Sequence, residues 1–146
     1  MEISIEQIHE GLLEGYRGRG EGKTLNGLMV AIQSALALDR LADLKIFVSH
    51  PREMRYMYDI CFDIANHLGL DFRYKRVYME ITLSEYGKDC LRISPWLGDV
   101  DKIQGYRPLV VYFDGHYEHK KQVKDVVSVR STQSISIHDS LILIQE

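Results

Sequence analysis

A run of glycine, arginine, lysine and threonine near the start of the chain has the composition of a phosphate-binding turn. The run consists of Arg17, Gly18, Arg19, Gly20, Glu21, Gly22, Lys23 and Thr24. Glycines let the backbone close around an anion, and a helix that follows aims its positive end at the same anion. Lys23 would reach the β- and γ-phosphates, and Thr24 would bind Mg²⁺. The run therefore predicts a nucleoside triphosphate site with ATP and Mg²⁺ as ligands.

One position departs from the usual pattern, G-x-x-x-x-G-K-[ST]. Counting back from Gly22, the first glycine would stand at position 17, where the chain has Arg17. The other glycines, a strand predicted before them and a long helix predicted after them favour a phosphate site. The alternative is a flexible surface turn that precedes a helix.

An apolar run that ends in an aspartate gives a second candidate group. Leu109 to Phe113 reads Leu-Val-Val-Tyr-Phe and is followed by Asp114 and Gly115. In triphosphate-binding folds such an aspartate holds Mg²⁺, often beside a glutamate that activates the attacking water. Glu118 is the nearest later acid. Asp114 is thus a predicted Mg²⁺ ligand with Thr24, and a plain Asp-Gly turn is the alternative.

The elements that must position these residues alternate between strands and helices. Apolar residues recur at helical spacing from Lys23 to Leu41 and from Pro51 to about Leu68. The strongest predicted strands are Leu44 to Ser49, Leu109 to Phe113 and Leu141 to Ile144, the last two almost wholly apolar, as in parallel strands buried on both faces. Weaker extended segments are predicted at 12–16, 72–83 and 90–94. The order predicts one α/β domain over residues 1–146, a three-layer sandwich with a mostly parallel central sheet flanked by helices.

Composition narrows the class of protein. The chain has 146 residues, 45% of them hydrophobic and 27% charged, which suits one globular domain. Its net charge of -3 gives no general case for nucleic-acid binding. A local basic face could still form from Arg52, Arg55, Arg73, Lys75 and Arg76, with a solvated surface as the alternative.

The sequence also predicts a compartment. The N-terminus lacks the pattern of a secretory signal, and no apolar stretch is long enough to cross a bilayer. Cys61 and Cys90 belong to no paired motif, and Cys61 lies in an apolar helical pattern typical of a buried residue. We therefore expect a cytoplasmic protein that does not associate with membranes.

Taken together, these segments resemble a P-loop NTPase of the RecA-like class, and more narrowly the ATPase domain of phage terminase large subunits and related helicase-like motors. The resemblance rests on Arg17 to Thr24, on Ile103 to Asp114, and on Leu141 to Glu146. The second segment is similar to the loop and Walker B strand of those motors. The third sits where their next core strand lies, whose end senses the γ-phosphate.

The resemblance implies an ATPase that acts on DNA, such as a viral DNA-packaging motor in the host cytoplasm, and self-association into a larger assembly. It also implies that Arg19 or Arg17 lies near the γ-phosphate, where a positive charge stabilises the transition state. Candidate catalytic residues are then Lys23, Arg19, Asp114 and Glu118. Because Gly115 replaces the adjacent glutamate, the alternative is a nucleotide-binding interaction or regulatory module with weak turnover.

Three further groups carry alternative interpretations. His116, Glu118 and His119 could hold a divalent metal or form an exposed polar helix start. Ser128 to Ser136 could contact nucleic acid, sense the nucleotide or form an edge strand. The aromatic residues that could stack bases or pack in the core and its rim are Trp96, Tyr74, Tyr78, Tyr86 and Tyr106.

Overall fold

The structure, a computed structural model, describes residues 23–97, 109–114, 133–137 and 140–145. Within these ranges lie two helices, α1 (Lys23–Leu36) and α2 (Pro51–His67). The strands are β1 (Ala42–Phe47), β2 (Asp71–Lys75), β3 (Glu80–Glu85), β4 (Lys88–Trp96), β5 (Leu109–Phe113), β6 (Gln133–Ile137) and β7 (Ser140–Gln145).

The strands form one sheet in the order β2-β3-β4-β1-β5-β7-β6. Strand β1 pairs in parallel with β4 and with β5, and the other four pairings are antiparallel. Only the three central strands are therefore parallel to a neighbouring strand. The prediction of a mostly parallel sheet is wrong, because the sheet is mixed and mostly antiparallel.

Both described helices pack on the same face of the sheet. Their buried side chains form one apolar cluster with residues of the central strands, including Leu44, Ile93 and Tyr112. The opposite face carries a second buried cluster, in which Phe47 and Phe113 stack with ring centroids 5.0 Å apart. The prediction of helices on both faces is wrong for the part of the chain that the structure describes.

The wrong prediction has a physical reason. A continuous apolar run shows that a strand is buried on both faces, and it does not reveal the direction of the neighbouring strands. Strand β5 is such a run, with β1 parallel on one side and β7 antiparallel on the other. The hairpin between β3 and β4 was also missed. Its two turn residues, Tyr86 and Gly87, have φ of 53° and 77°, as a type I′ turn requires.

The predicted bounds of one helix are confirmed, whereas the first helix is shorter than the predicted Lys23 to Leu41 and β4 is longer than the predicted 90–94. Helix α2 begins at Pro51 and ends just before Gly69, whose φ is 71°. Helix α1 begins at Lys23 but ends at Leu36, and Asp39 in the following turn has φ 57°. Strand β4 continues through Pro95, which pairs with Ile46 of β1 and lies beyond the last residue that pairs with β3. The missing N–H of this proline therefore removes no bond to β3.

The two edges of the sheet are β2 and β6. Strand β6 overlaps the polar segment Ser128 to Ser136 and is an edge strand among the described strands, as one interpretation of that segment predicted. Neither described helix combines the length and the apolar character needed to cross a membrane.

Candidate site at the carboxyl edge of the parallel strands

The three parallel strands end at one edge of the sheet, which we call the carboxyl edge. Phe47, Trp96 and Phe113 are the last residues of β1, β4 and β5 there, and Asp114 follows Phe113. In open sheets with parallel strands, ligands bind outside this edge. Helix α1 begins at the same edge, because Thr24 of its first turn contacts Asp114.

A hydrogen bond at this edge joins two predicted Mg²⁺ ligands. The Thr24 hydroxyl Oγ1 donates a hydrogen bond to Oδ2 of Asp114 over 2.9 Å. The two residues are separated by 90 positions in the chain, and the bond is partly buried. The structure therefore brings together the lysine-threonine end of the phosphate run and the aspartate that follows the apolar strand.

The first turn of α1 adds positive charge to this edge. Lys23 is its first residue and is exposed, and no acidic residue lies in that turn. Because the N-terminal end of a helix carries a partial positive charge, the turn and Lys23 together favour an anion.

Other predicted site residues cannot be placed. Those outside the described residues are Arg17, Gly18, Arg19, Gly20, Glu21, Gly22, His116, Glu118 and His119. Within the described ranges, no group of three or more His, Cys, Asp or Glu side chains is arranged to hold a metal ion. The candidate site is therefore defined here by Lys23, Thr24 and Asp114.

A close approach of helix to strand supports the Thr24–Asp114 contact, and the sequence interpretation missed it. Gly27 lies one turn after Thr24, and a Cβ added to it would meet Tyr112 Oη at 2.7 Å and Cε2 at 2.9 Å. Tyr112 is fully buried and shares a hydrogen bond with Ser140 Oγ over 3.0 Å. Burial raises the pKa of Tyr112, so the hydroxyl stays protonated. A glycine three positions after the threonine was the available signal.

Strand β7 has the opposite direction from the one that the resemblance implies. Leu141 pairs with Phe113, and Gln145 pairs with Leu109 at the far end of β5. The start of β7 therefore lies near Asp114, while its end lies away from the carboxyl edge. A γ-phosphate sensor at the end of this strand does not fit that direction.

A second aspartate, at the opposite edge, has a different environment. Asp89 accepts hydrogen bonds from Arg73 Nη2 over 3.0 Å and from Ser84 Oγ over 2.9 Å. The Arg73 bond first, and then the Ser84 bond, hold the pKa of Asp89 below its ordinary value. Asp89 is thus part of a surface ion pair.

A cavity of about 550 Å³ lies at the opposite edge as well. Its lining residues come from the end of α1, the turn after it and the β3–β4 hairpin, and they are Leu36, Asp39, Arg40, Leu41, Glu85, Tyr86, Lys88, Asp89 and Cys90. None of the predicted nucleotide-site residues lines it.

The hairpin between β2 and β3 lies at the carboxyl edge, because Lys75 pairs with Glu80 and Ile81 pairs with Ile93 of β4. We call residues 74–78 the tyrosine hairpin. Its Tyr74, Val77 and Tyr78 side chains are 48%, 90% and 73% exposed. The Arg76 guanidinium lies 5.6 Å from the centre of the Tyr74 ring and 5.9 Å from that of Phe62 in α2.

The five residues of the candidate basic face are exposed but do not share one side of the sheet, because Arg73 and Lys75 alternate with Phe72 and Tyr74, whose rings contact Phe62 of α2. Arg73, Lys75 and Arg76 are exposed on one hairpin, although Arg73 pairs with Asp89. Arg52 and Arg55 are exposed in the first turns of α2. Trp96, in contrast, is half-buried beside Lys45, whose ammonium lies 5.2 Å from its ring centre.

The two cysteines are free thiols in apolar surroundings. Cys61 is buried, as predicted, and burial raises its pKa. Cys90 is half-buried, its thiol donates to the Leu83 carbonyl over 3.3 Å, and burial raises its pKa too. Neither has the depressed pKa of a reactive thiol.

Comparisons of the chain with models of known families, with curated proteins and with solved structures found no match. The function must therefore be inferred from the residues and their geometry.

Proposed function

We propose that the chain binds ATP together with Mg²⁺ at the carboxyl edge, as an ATPase of the nucleic-acid motor type. The observation that carries the proposal is the 2.9 Å hydrogen bond between Thr24 and Asp114. Neither a plain surface turn before α1 nor a plain Asp-Gly turn after β5 requires these two side chains to meet, whereas a shared Mg²⁺ site does.

The donor atoms suit the proposed metal. Mg²⁺ prefers hard oxygen ligands and takes one or two protein ligands together with substrate phosphates. The Thr24 hydroxyl and the Asp114 carboxylate supply such oxygens at one place. Lys23, the residue before Thr24, would bind the β- and γ-phosphates. Mg²⁺ held by Thr24 and Asp114 would offset the negative charge of those phosphates.

Turnover is the part of the proposal for which the residues provide least support. Gly115 follows Asp114, so the glutamate that would activate water is not adjacent. Glu118 is the acid proposed for that role. The alternative function is a nucleotide-binding module that works by interaction, and a phosphate-release assay with ATP separates the two: release supports the ATPase, and binding without release supports the module.

Asp114 and Asp89 each accept a hydroxyl hydrogen bond of 2.9 Å. The proposal predicts that replacing each of them with asparagine has a different effect on ATP binding. We expect Asp114→Asn to reduce the Mg²⁺-dependent part of ATP affinity about 10- to 100-fold, as the loss of a metal-supporting group does. The measurement is calorimetric titration with ATP, once with Mg²⁺ and once with EDTA.

Asp89→Asn is the matched control, because Asp89 also accepts a hydroxyl hydrogen bond of 2.9 Å but lies at the opposite edge. Its ATP affinity should equal that of the wild type in both buffers. Absence of ATP binding by the wild type would contradict the proposal as a whole.

The tyrosine hairpin is the surface that we assign to the nucleic-acid partner. Exposed aromatic rings next to cations bind single strands by stacking and by charge, and each stacked base contributes about 1–3 kcal/mol. Tyr78 and Tyr74 are exposed at the same edge as Asp114, and the Arg76 guanidinium lies 5.6 Å from the Tyr74 ring centre. Nucleotide and DNA would therefore be bound at one side of the sheet.

We expect Tyr78→Ala to weaken binding of a labelled single-stranded oligonucleotide about tenfold, which matches the loss of one stacked base. Fluorescence anisotropy at a fixed salt concentration measures it. Tyr86→Ala is the control, since Tyr86 is 94% exposed but lies on the hairpin at the opposite edge. Equal losses in both variants would contradict the assignment.

Sedimentation with and without ATP tests the self-association that the resemblance implies.

A further inference from the structure

Helix α1 and strand β5 meet through two contacts in register. Thr24 and Gly27 lie one turn apart on α1, while Tyr112 lies in β5 and Asp114 follows this strand, two residues after Tyr112. Since alternate residues of a strand face the same side, Tyr112 and Asp114 both face α1. Thr24 contacts Asp114, and Gly27 lies against the Tyr112 ring.

The space at Gly27 is too small for any side chain. An added Cβ would lie 2.7 Å, 2.9 Å and 3.2 Å from Tyr112 Oη, Cε2 and Cζ. The helix backbone therefore rests directly on the tyrosine ring. In a helix without such a contact, alanine in place of glycine would be favourable by up to about 1 kcal/mol, so helix propensity does not explain a glycine here.

The tyrosine cannot move aside at low cost. Its side chain is fully buried in the cluster that joins α1 to the sheet. Its hydroxyl is bonded to Ser140 Oγ, at the start of the neighbouring strand β7. Because the interior is close-packed, a group added at position 27 must displace the first turns of α1 rather than the ring.

We propose that the Gly27–Tyr112 contact sets the distance between Thr24 and Asp114, and that Tyr112 is thereby a positioning residue for Mg²⁺. The Mg²⁺ part rests on the proposed function, whereas the distance itself is a property of the nucleotide-free protein. Displacing α1 from the ring would separate the threonine hydroxyl from the carboxylate, one turn away.

The first experiment needs no nucleotide. A double-mutant cycle with Thr24→Val and Asp114→Ala, measured by urea unfolding, gives the coupling between the two side chains. We expect Thr24 and Asp114 to be coupled in the wild-type background and uncoupled in a Gly27→Ala background. The coupling should return in Gly27→Ala/Tyr112→Leu, because leucine lacks the three ring atoms nearest to the new Cβ. Should Gly27→Ala not fold, Gly27→Ala/Tyr112→Phe replaces it, since it lacks Oη, and reduced coupling is expected.

The control for general weakening of the helix is Ala31→Gly, one turn further along α1 at a buried position. Glycine there lowers helix stability without adding a group that faces the sheet, so the coupling should be kept. Full coupling in Gly27→Ala, or equal loss in Ala31→Gly, would overturn the inference.

The second experiment measures ATP affinity with Mg²⁺ and with EDTA in the same variants. We expect Gly27→Ala to reduce the gain that Mg²⁺ gives by about tenfold, with the affinity in EDTA unchanged, and Gly27→Ala/Tyr112→Leu to recover it. If the wild type binds no ATP, the proposed function and the Mg²⁺ part fall together. If it binds with a Mg²⁺ gain that Gly27→Ala retains, this inference alone is overturned.

Discussion

Both described helices begin at the carboxyl edge of the sheet, and their first turns are built in different ways. Helix α2 follows His50, whose backbone is extended (φ -148°, ψ 145°) and whose Nδ1 accepts the Arg52 N–H over 3.1 Å. Glu53 in its first turn accepts the Ser49 N–H over 3.1 Å. Helix α1 begins with Lys23 and Thr24, has no acid in its first turn, and directs its hydroxyl to Asp114.

The difference separates a start that stabilises the fold from one arranged to meet a ligand. In α2 the chain's own side chains satisfy backbone donors and place a negative charge at the positive helix end, both of which are stabilising. In α1 a cation stands at that positive end, which costs about 0.3–1 kcal/mol, and the Asp114 carboxylate bonded to Thr24 offsets part of that cost. A bound triphosphate would add negative charge at the same place.

The largest effect that tests this comparison is expected from Lys23→Ala. Loss of the ammonium should weaken ATP binding about 100-fold, as expected when a partly buried bond to a charged group worth about 3 kcal/mol is removed. The nucleotide-free protein should keep its stability or gain about 0.5 kcal/mol, because the repulsion with the helix end is removed. Calorimetry and urea unfolding measure the two quantities separately.

Lys23→Arg serves as the conservative control and should retain part of the affinity, since it keeps the charge but not the compact geometry of the ammonium. A Lys23→Ala protein that binds ATP as the wild type does would remove the distinction between the two helix starts. The distinction would also be removed if Lys23→Ala lost as much unfolding free energy as a capping variant of α2 is expected to lose.

The strengths and failures of the sequence-based predictions follow from what each signal measures. Pro51 and Gly69 fixed the bounds of α2, because a proline at the first turn and a glycine after the last are local requirements of the helix. The residues Leu109 to Phe113 were assigned correctly as a buried strand. The run does not encode the direction of the neighbouring strands, and the alternation of strands and helices does not determine it either, since β5 is parallel to β1 and antiparallel to β7.

The site shows the same division. Thr24 and Asp114 could be proposed from residue type and position, and they do meet. Gly27 and Tyr112 could not be proposed from the sequence. Their importance depends on how closely α1 approaches β5, and the two residues are 85 positions apart in the chain. A helical glycine predicts close packing only when the partner is known.

The smallest effect is expected at the start of α2, the second member of the comparison. His50→Ala removes the acceptor for the Arg52 N–H, and loss of a capping side chain typically costs about 1 kcal/mol of unfolding free energy. His50→Asn keeps an acceptor at the cap position and should preserve stability. ATP affinity should be unchanged in both variants, because α2 follows β1 and the residues of the proposed ATP site lie in α1 and after β5. Reduced ATP binding in His50→Ala at wild-type stability would mean that α2, rather than α1 alone, presents its first turn to the nucleotide.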